Sequence, residues 1–429
     1  MEKIEIKDFV GIKDISIEVK QINILIGPQA SGKSIIAKLL YFFKDFIFEI
    51  INAALLFESK RDLDKELKLK FREYFPVSSW GKENFKVRYS LDEEFIEISR
   101  KLSKKQHSSI VLKYSDLYKD ALTELRDFAK REKKKELEQT DRLGLQSQMQ
   151  LDYDIKRAFL LVLAKENKNA AFEQLYIPAG RSFFAYLKNT IFAFLSESNA
   201  VDPFLADFGT FYENVKLPMS LEIIKDAALE QKQLSKEISL LNDKILCGKY
   251  LKKNGEDYLQ LAEGRTIEVA NSSSGQQETL PLIIILRRLA FVPLGISGSS
   301  IYIEEPEAHI FPAAQKNIVE LISTVYNARK HNLQFFITTH SPYILTAFNN
   351  LIQAGILAED ATEKKIEQIS QHVPKTRFLH PDKVAVYSLE NGYCKSIIDQ
   401  ETGLIDASII DEVSNELAIQ FDELLDLEE

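Results

Sequence analysis

Eight consecutive residues near the amino terminus have the types and spacing needed to hold phosphate groups. They are Gly27, Pro28, Gln29, Ala30, Ser31, Gly32, Lys33 and Ser34. Glycines let backbone amides turn inward around an anion, and a helix that starts at Lys33 points its positive end at the same place. The octapeptide fits the G-x-x-x-x-G-K-[ST] pattern of a P-loop, in which the lysine reaches the β and γ phosphates and the serine binds Mg²⁺. It therefore predicts a site for ATP and Mg²⁺.

Two adjacent carboxylates form a second candidate site. Glu304 and Glu305 directly follow the apolar strand expected at Ser300–Ile303. Side chains diverge at a strand end, so one carboxylate can face a metal ion and the other can face an attacking water. We expect Glu304 to hold Mg²⁺ and Glu305 to be the catalytic residue that polarises water. Exposed acids that merely end a strand are the alternative, and the P-loop in the same chain favours catalysis.

Two further polar clusters carry weaker signals by themselves. Ser273, Ser274, Gly275 and Gln276 precede an apolar helical stretch. Serine and glycine before a helix can form an anion-binding nest, although such clusters are usually plain loops. His340 follows a buried strand, and a lone histidine in that position is more often structural than functional.

The elements that position these groups alternate as they do in a parallel sheet. Ile22–Ile26 is almost continuously aliphatic, which predicts a strand buried on both faces, and a helical period follows from Lys33 to about Ile51. From Ser274 onward the pattern is helix, strand, helix and strand. Period-two alternation around residues 85–112 predicts an antiparallel meander. Lys, Glu, Leu and Arg dominate residues 116–167, which predicts long solvated helices.

Composition excludes several classes of protein. The 429 residues, 45% of them hydrophobic, can bury a sizeable core in two or three domains or in one interrupted domain. A net charge of -9 gives no global basic field for nucleic acid or an anionic membrane, although a local basic groove keeps nucleic acid open as a partner. The two cysteines exclude a disulfide scaffold. No apolar run approaches the roughly 20 residues of a membrane helix, so we expect a soluble, cytoplasmic protein.

The order of these motifs resembles that of ABC-type ATPases, specifically their OLD-like branch, which is related to SMC and RecF proteins. P-loop, Ser-Ser-Gly-Gln stretch, the Glu-Glu-Pro-Glu-x-His segment at 304–309 and a strand ending in Thr-Thr-His follow one another. The resemblance covers roughly residues 1–45, 171–185 and 245–350 and a family-like tail. It implies an α/β fold, with an ABC-type P-loop ATPase head whose mixed sheet has an antiparallel β subdomain and is interrupted by helical insertions.

The resemblance also implies roles for individual residues. Ser273, Ser274, Gly275 and Gln276 are similar to the signature loop, which contacts the γ phosphate of ATP held by another subunit. His340 is similar to the catalytic switch histidine that contacts the γ phosphate. Glu307 and His309 would lie in the D-loop at a dimer interface. Arg181, in a stretch similar to the Pro-Ala-x-Arg segment of this branch, is expected to contact phosphate or the interface.

These expectations divide the chain into segments. They are 1–45 with the first part of the head and the P-loop, 46–170 with a β meander and a helical insertion, 171–220 with a return to the core, 221–246 with a helical hairpin, 247–350 with the signature, double-Glu strand and switch histidine, and 351–429 with a C-terminal meander and an amphipathic helix from about Ala407.

Three functions remain open from the sequence. One is an ATPase in a bacterial anti-phage defence system or toxin–antitoxin-like pair, acting as a head-to-tail dimer or higher homo-oligomer that controls a separately encoded effector. Another is a RecF-like or SMC-like ATPase of DNA repair or chromosome maintenance, although the insertions are too short for long coiled coils. The third, a single-chain OLD nuclease, needs a Toprim domain on the order of 100 residues with an Asp-x-Asp pair. No Asp-x-Asp follows His340, which argues against the nuclease. The overall build resembles stand-alone OLD-like ATPases that pair with a neighbouring effector gene, and this resemblance favours the first function.

Overall fold

An eleven-stranded mixed sheet forms the centre of the molecule. The computed structural model describes residues 1–102, 108–139, 145–185, 202–215, 229–253, 255–329, 332–406, 419–422 and 424. The strands are β1 (Glu2–Phe9), β2 (Ile12–Val19), β3 (Ile22–Ile26), β4 (Lys86–Leu91), β5 (Glu94–Leu102), β6 (Ser108–Tyr114), β7 (Glu173–Ile177), β8 (Lys249–Lys253), β9 (Glu256–Gln260), β10 (Thr266–Glu268), β11 (Ser299–Glu304), β12 (Leu333–Thr339), β13 (Val384–Glu390) and β14 (Tyr393–Ser396).

Helices cover both faces of this sheet. They are α1 (Lys33–Leu55), α2 (Lys60–Tyr74), α3 (Asp116–Gln139), α4 (Leu145–Glu166), α5 (Pro203–Val215), α6 (Leu229–Leu246), α7 (Ser274–Phe291), α8 (Pro312–Ala328), α9 (Pro342–Ala358) and α10 (Glu363–Ser370). Strands β10, β9 and β8 form a separate antiparallel sheet of three strands.

The parallel half of the main sheet carries the predicted chemistry. Its strands lie in the order β13, β3, β12, β11 and β7, and each pairs with its neighbour in parallel. Every residue of β3, β11 and β12 is buried, as expected for strands with helices on both faces. Because these strands run in the same direction, their carboxyl ends share one edge of the sheet.

The antiparallel half consists of β6, β5, β4, β1 and β2, in that order. Strand β14 joins the halves, since it pairs antiparallel with β13 and in parallel with β2 at Tyr393 and Asp14. The expected fold class, an α/β head with a mixed sheet, an antiparallel part and helical insertions, is confirmed.

Strand alternation sends successive side chains into two separate cores. Leu25, Tyr302 and Phe336 point toward α1 and the aromatic cluster around it. Their neighbours Ile24 and Ile303 point toward the opposite core, which α6, α7, α8 and α9 complete. The face toward which a residue points therefore follows from its position along the strand.

Several expected elements differ in the structure. Helices α3 and α4 are not simply solvated, because Leu122, Leu125, Ile155 and Leu160 are buried in the core around α1. Of the hairpin expected at 221–246, the described part is the helix α6 (Leu229–Leu246), and 221–228 lie outside the described residues. Most of the amphipathic helix expected from about Ala407 lies outside the described residues. Across the described part of the chain, no helix combines the length and apolar character needed to span a membrane.

Candidate functional site

The carboxyl-terminal edge of the parallel strands brings the predicted catalytic groups together. Ile26, the last residue of β3, pairs with Thr339 of β12, and Thr338 pairs with Glu304 of β11. The P-loop follows β3, the Glu304-Glu305 pair ends β11, and His340 follows β12. Parallel pairing therefore accounts for their proximity, because each group lies at the same end of its strand.

The P-loop connects β3 to α1 with an uncapped helix start. Gly32 is the N-cap residue of α1, and no side chain caps the first-turn amides. Pro28, Gln29 and Ala30 are exposed. Uncapped amides at a helix amino terminus attract anions, so the loop fits phosphate groups.

The ammonium group of Lys33 turns back into this loop. Its Nζ atom donates to the carbonyl oxygens of Gly27 and Pro28, both at 2.8 Å, and lies 3.3 Å from Oγ of Ser31. Burial lowers the pKa of Lys33 from its ordinary value of 10.5, while the negative charges of Glu305 and Glu307 oppose that shift. Lys33 therefore places a positive charge against the backbone of the P-loop.

His340 lies between Lys33 and Glu305, the predicted catalytic carboxylate. Its Nδ1 atom lies 3.4 Å from Nζ of Lys33, and its Nε2 atom lies 3.2 Å from Oε1 of Glu305. An ammonium only donates and a carboxylate only accepts hydrogen bonds. A neutral imidazole with its proton on Nε2 satisfies both contacts, so this tautomer fits the geometry.

Glu307 fixes the backbone of His340 and the side chain of the preceding Thr339 by hydrogen bonds. Its Oε1 atom accepts hydrogen bonds from Oγ1 of Thr339 at 2.8 Å and from the backbone amide of His340 at 2.7 Å. The resemblance to ABC-type ATPases implied that Glu307 and His309 lie in the D-loop at a dimer interface. In the structure Glu307 makes these contacts within its own chain, and His309 is exposed.

Glu304 points to the α1 face of the sheet, since it has the same parity as Tyr302. Its carboxylate accepts hydrogen bonds from the hydroxyl of Tyr176 at 2.7 Å and from the amide of Ala179 at 3.2 Å. Thr338 lies beside it in register, and its buried Oγ1 atom has no hydrogen-bond partner in the described part of the chain. An unpartnered hydroxyl beside a carboxylate fits a hydrated Mg²⁺.

The predicted metal ligands do not form a closed protein cage. No group of three or more His, Cys, Asp and Glu side chains among the described residues is arranged to hold a metal. Mg²⁺ commonly takes one or two protein oxygens and completes its shell with phosphate oxygens and water. Ser34, in the first turn of α1, and Glu304 are therefore sufficient candidates.

The residues predicted to be a signature loop form the amino terminus of α7. Ser273 and Gln276 make a capping box, in which Oγ of Ser273 accepts from the amide of Gln276 and Oε1 of Gln276 accepts from the amide of Ser273. Ser273 and Ser274 are exposed, whereas Gly275 is buried. A Cβ atom at Gly275 would lie 2.5 Å from the carbonyl oxygen of His309. Glycine is needed here because the two loops pack backbone to backbone.

Arg181 does not lie where a phosphate can reach it in this structure. It is fully buried, and its guanidinium donates to the backbone carbonyls of Pro178, Glu278, Glu304 and Glu305. Burial lowers the pKa of Arg181, while Glu278 is the foremost of four carboxylates that oppose this effect. The expected phosphate or interface contact is replaced by contacts within the chain.

Tyr176 and Glu278 are the site residues that sequence reasoning missed. Tyr176 holds Glu304 from a strand 128 residues earlier, and Glu278 holds Arg181 across 97 residues. Local patterns carry no signal for such long-range pairs. One indication was available for Glu278: it is an acidic residue in the second turn of a helix whose following residues are apolar.

Comparison with known proteins assigns a family. A family model described as an AAA ATPase domain matches residues 1–345. No curated protein matches the chain.

Similar solved structures include two SMC heads and a RecF protein. An SmcHead bound to the C-winged helix domain of ScpA has 13% identity, a TM-score of 0.42 and coverage of 93% of this chain and 97% of that chain. The SMC head domain from Thermotoga maritima has 12% identity, a TM-score of 0.35 and coverage of 92% and 97%. The recombination mediator RecF-ATPrS has 12% identity, a TM-score of 0.29 and coverage of 92% and 97%. These identities and TM-scores are too low to indicate an activity.

Proposed function

The chain belongs to the AAA ATPase domain family, and from that premise we propose a Mg²⁺-dependent ATPase whose active site is completed by a second subunit. One observation carries the proposal. Two contacts connect the P-loop lysine to a carboxylate beside it. Nζ of Lys33 lies 3.4 Å from Nδ1 of His340, and Nε2 of His340 lies 3.2 Å from Oε1 of Glu305. A phosphate-binding lysine, a histidine and a half-exposed carboxylate in one line can bind ATP and activate water.

The proposed roles follow from the chemistry of each group. Lys33 stabilises the β and γ phosphates, and Glu305 orients water and accepts its proton as the water oxygen bonds to the γ phosphorus. The bond from that phosphorus to the bridging oxygen breaks, which leaves ADP and phosphate. Ser34 and Glu304 would hold Mg²⁺, which would neutralise charge on the phosphates. His340, which lies between Lys33 and Glu305, would contact the γ phosphate.

Solvent access supports the role of Glu305. Its side chain is 41% exposed, whereas the carboxylate of Glu304 is almost fully buried. A general base has to reach water, and a metal ligand benefits from a dry, fixed position. The two adjacent acids therefore differ in the way their proposed roles require.

Two substitutions test the ATPase proposal in the full-length protein. Lys33→Ala should abolish detectable ATP binding in calorimetry, because the phosphates lose their cationic partner. Glu305→Gln should preserve binding and slow phosphate release by about 100-fold or more. Lys82→Ala, at an exposed lysine, is the matched control. Unchanged ATP binding by Lys33→Ala, or wild-type turnover by Glu305→Gln, would contradict the proposal.

We also propose that a second copy supplies the signature loop, in a head-to-tail dimer or higher homo-oligomer. Support comes from the exposure of Ser273 and Ser274 at the amino terminus of a long helix. Their hydroxyls and the helix end are open to an anion brought by another molecule. The exposed His309 next to Gly275 extends the same surface.

The biological role that we propose is control of a separately encoded effector in bacterial anti-phage defence. This step rests on the resemblance of the motifs to OLD-like ATPases. Cells that express this chain with its neighbouring gene should resist phage, and the pair carrying Glu305→Gln should not. Protection by this chain alone, or none by the intact pair, would contradict effector control.

One observation favours a second candidate, a nucleic-acid-associated ATPase of the RecF or SMC type. Four basic residues of α2, spaced four, three and four apart, lie on one helical face. They are Arg61, Lys65, Lys68 and Arg72, and none makes an ion pair with a described residue. Three of them are exposed, and Lys68 is half-buried. A stripe of free cations fits a row of backbone phosphates.

Salt dependence distinguishes the second candidate from the first. If all four cations meet phosphates of duplex DNA, log K should fall with log salt with a slope of about -3 to -4. Lys65→Glu combined with Lys68→Glu should flatten that slope by about 2. Lys364→Glu with Lys375→Glu, both at exposed lysines, is the matched control. No DNA binding at low salt would exclude the second candidate.

A further inference from the structure

The catalytic carboxylate stands on an unusual backbone. Glu305 has a φ of 42°, a conformation that side chains other than glycine rarely adopt. Such a conformation persists only where neighbouring groups hold it. The Glu305 amide donates to the carbonyl of Thr338 at 2.9 Å, and its carbonyl accepts from the amide of Ala308 at 3.0 Å. A third contact comes from Arg181, whose Nη2 atom donates to the same carbonyl at 3.0 Å.

Arg181 hydrogen-bonds to two consecutive backbone carbonyls, those of Glu304 and Glu305. Its Nη1 atom donates to the carbonyl of Glu304 at 2.7 Å, in addition to the Nη2 contact with Glu305. The planar guanidinium fixes the directions of both bonds, which a lysine ammonium cannot do. Among the described contacts to the carbonyls of Glu304 and Glu305, those of Arg181 are the ones made by a side chain, so this side chain helps to orient the Glu305 backbone and, through it, the carboxylate that contacts His340.

Glu278 ties the same arginine to helix α7. One carboxylate oxygen accepts from the backbone amide of Arg181 at 2.9 Å, and the other accepts from the amide of Ser182 at 2.7 Å. Nε of Arg181 donates to the carbonyl of Glu278 at 3.0 Å. Both side chains are essentially fully buried, so neither can exchange these partners for water. Glu278 lies one turn beyond Ser273, the exposed N-cap of α7.

We propose that Arg181 is a positioning residue, which holds Glu305 in its catalytic orientation and is itself held by Glu278 on the signature helix. The proposal rests on the ATPase function proposed above. It gives the signature helix a direct mechanical connection to the carboxylate of its own chain. A displacement of α7 reaches Glu305 through Glu278 and Arg181, each of which hydrogen-bonds to the next.

The experiment compares Arg181→Lys in two backgrounds, using full-length protein and Mg²⁺-ATP. Lysine keeps the charge but loses the planar fork. In otherwise unaltered protein, kcat should fall about 10-fold to 100-fold, with KM and ATP affinity unchanged within about twofold. Added to Glu305→Gln, the same change should leave the residual rate unaltered, because Arg181 acts through Glu305. Effects on the rate that do not add in this way indicate that the two residues act on the same step.

Control and companion variants separate positioning from general damage. Arg265→Lys, at an exposed arginine paired with Glu263, should have no effect on kcat. Glu278→Gln, which puts an amide donor against a backbone amide, should lower kcat without raising KM. This second variant also decides the matter if Arg181→Lys does not fold, as judged by its thermal unfolding.

Two results overturn the inference. One is wild-type kcat in both Arg181→Lys and Glu278→Gln. The other is an equal loss of rate in the unaltered and Glu305→Gln backgrounds, which is the behaviour of a purely structural residue. Failure of the underlying ATPase proposal is distinct, since it appears as absent turnover in the unaltered protein or as full turnover by Glu305→Gln alone.

Discussion

Oε1 of Glu305 lies 3.2 Å from Nε2 of His340. The two residues follow neighbouring strands, β11 and β12. The carboxylate of Glu305 is thereby oriented from a neighbouring strand as well as through its own backbone. Glu307 fixes the other partner, because it binds the amide of His340 at 2.7 Å.

Loss of this contact should impair turnover more than binding. We expect His340→Ala to lower kcat by about 10-fold to 100-fold, since the orientation of Glu305 and a γ-phosphate contact are both lost. ATP affinity should change by less than about fivefold, because Lys33 and the loop amides remain. Steady-state kinetics and calorimetry measure the two quantities. A raised KM at unchanged kcat would assign His340 to binding alone.

Composite sites make a prediction about mixed subunits. Lys33→Ala and Ser273→Arg subunits should each be inactive alone, because one lacks its phosphate lysine and the other blocks the signature loop. Mixing them should restore one intact site per mixed dimer and part of the ATPase activity. Mass spectrometry or differential tagging establishes that mixed dimers form. If they form without any gain in activity, the sites lie within single chains.

Purified protein should hydrolyse ATP without cutting nucleic acid. The prediction follows from the sequence, in which no Asp-x-Asp pair follows His340. Plasmid, linear DNA and RNA are incubated with Mg²⁺ or Mn²⁺ at low salt, where weak phosphate contacts are strongest. Cleavage that disappears in Glu304→Ala would contradict a two-component system and restore the single-chain nuclease.

The packing at Gly275 predicts a specific loss of stability. A methyl group there would meet the carbonyl of His309 at 2.5 Å, so the two loops have to separate. We expect Gly275→Ala to reduce the free energy of unfolding by about 1–3 kcal/mol. Ser274→Ala, at the exposed neighbouring position, should change it by less than about 0.5 kcal/mol. Chemical denaturation measures both, and equal stabilities would show that the loops are not packed together.

The two cysteines should differ in reactivity. Burial raises the pKa of the Cys394 thiol to about 11, while Cys247 is exposed. The thiolate is the reactive form, and at pH 8 only about one Cys394 in a thousand is deprotonated. Alkylation followed by peptide mass spectrometry should therefore modify Cys247 first, with Cys394 reacting appreciably only as pH approaches 11. Rapid labelling of Cys394 at pH 8 would contradict the placement of β14.

The sequence predicted the features that depend on local pattern. Ile22–Ile26 was recognisable because a continuous apolar run marks a strand buried on both faces. Parallel pairing then accounts for the meeting of Lys33, Glu305 and His340. Their individual chemical roles remain predictions that the proposed substitutions test.

The unpredicted features depend on distant parts of the chain. Arg181 was expected at a phosphate because its segment resembled a motif, whereas its real partners, Glu278 and the carbonyls of Glu304 and Glu305, are set by tertiary packing. The burial of α3 against α1 was missed for a related reason. A helix rich in charged residues can still bury one narrow apolar stripe, and composition averages that stripe away.

The position of β13 and β14 has a consequence for synthesis of the protein on the ribosome. These late strands lie between β2 and β3, in the middle of the sheet, and the Leu389 carbonyl of β13 fits so closely against Gly27 that a Cβ atom there would come within 2.3 Å. The amino-terminal region emerges first, yet one edge of β3 stays unpaired until almost four hundred residues have been translated. The nascent chain therefore cannot assemble a finished P-loop early, and the unpaired edge is a natural binding target for chaperones during translation.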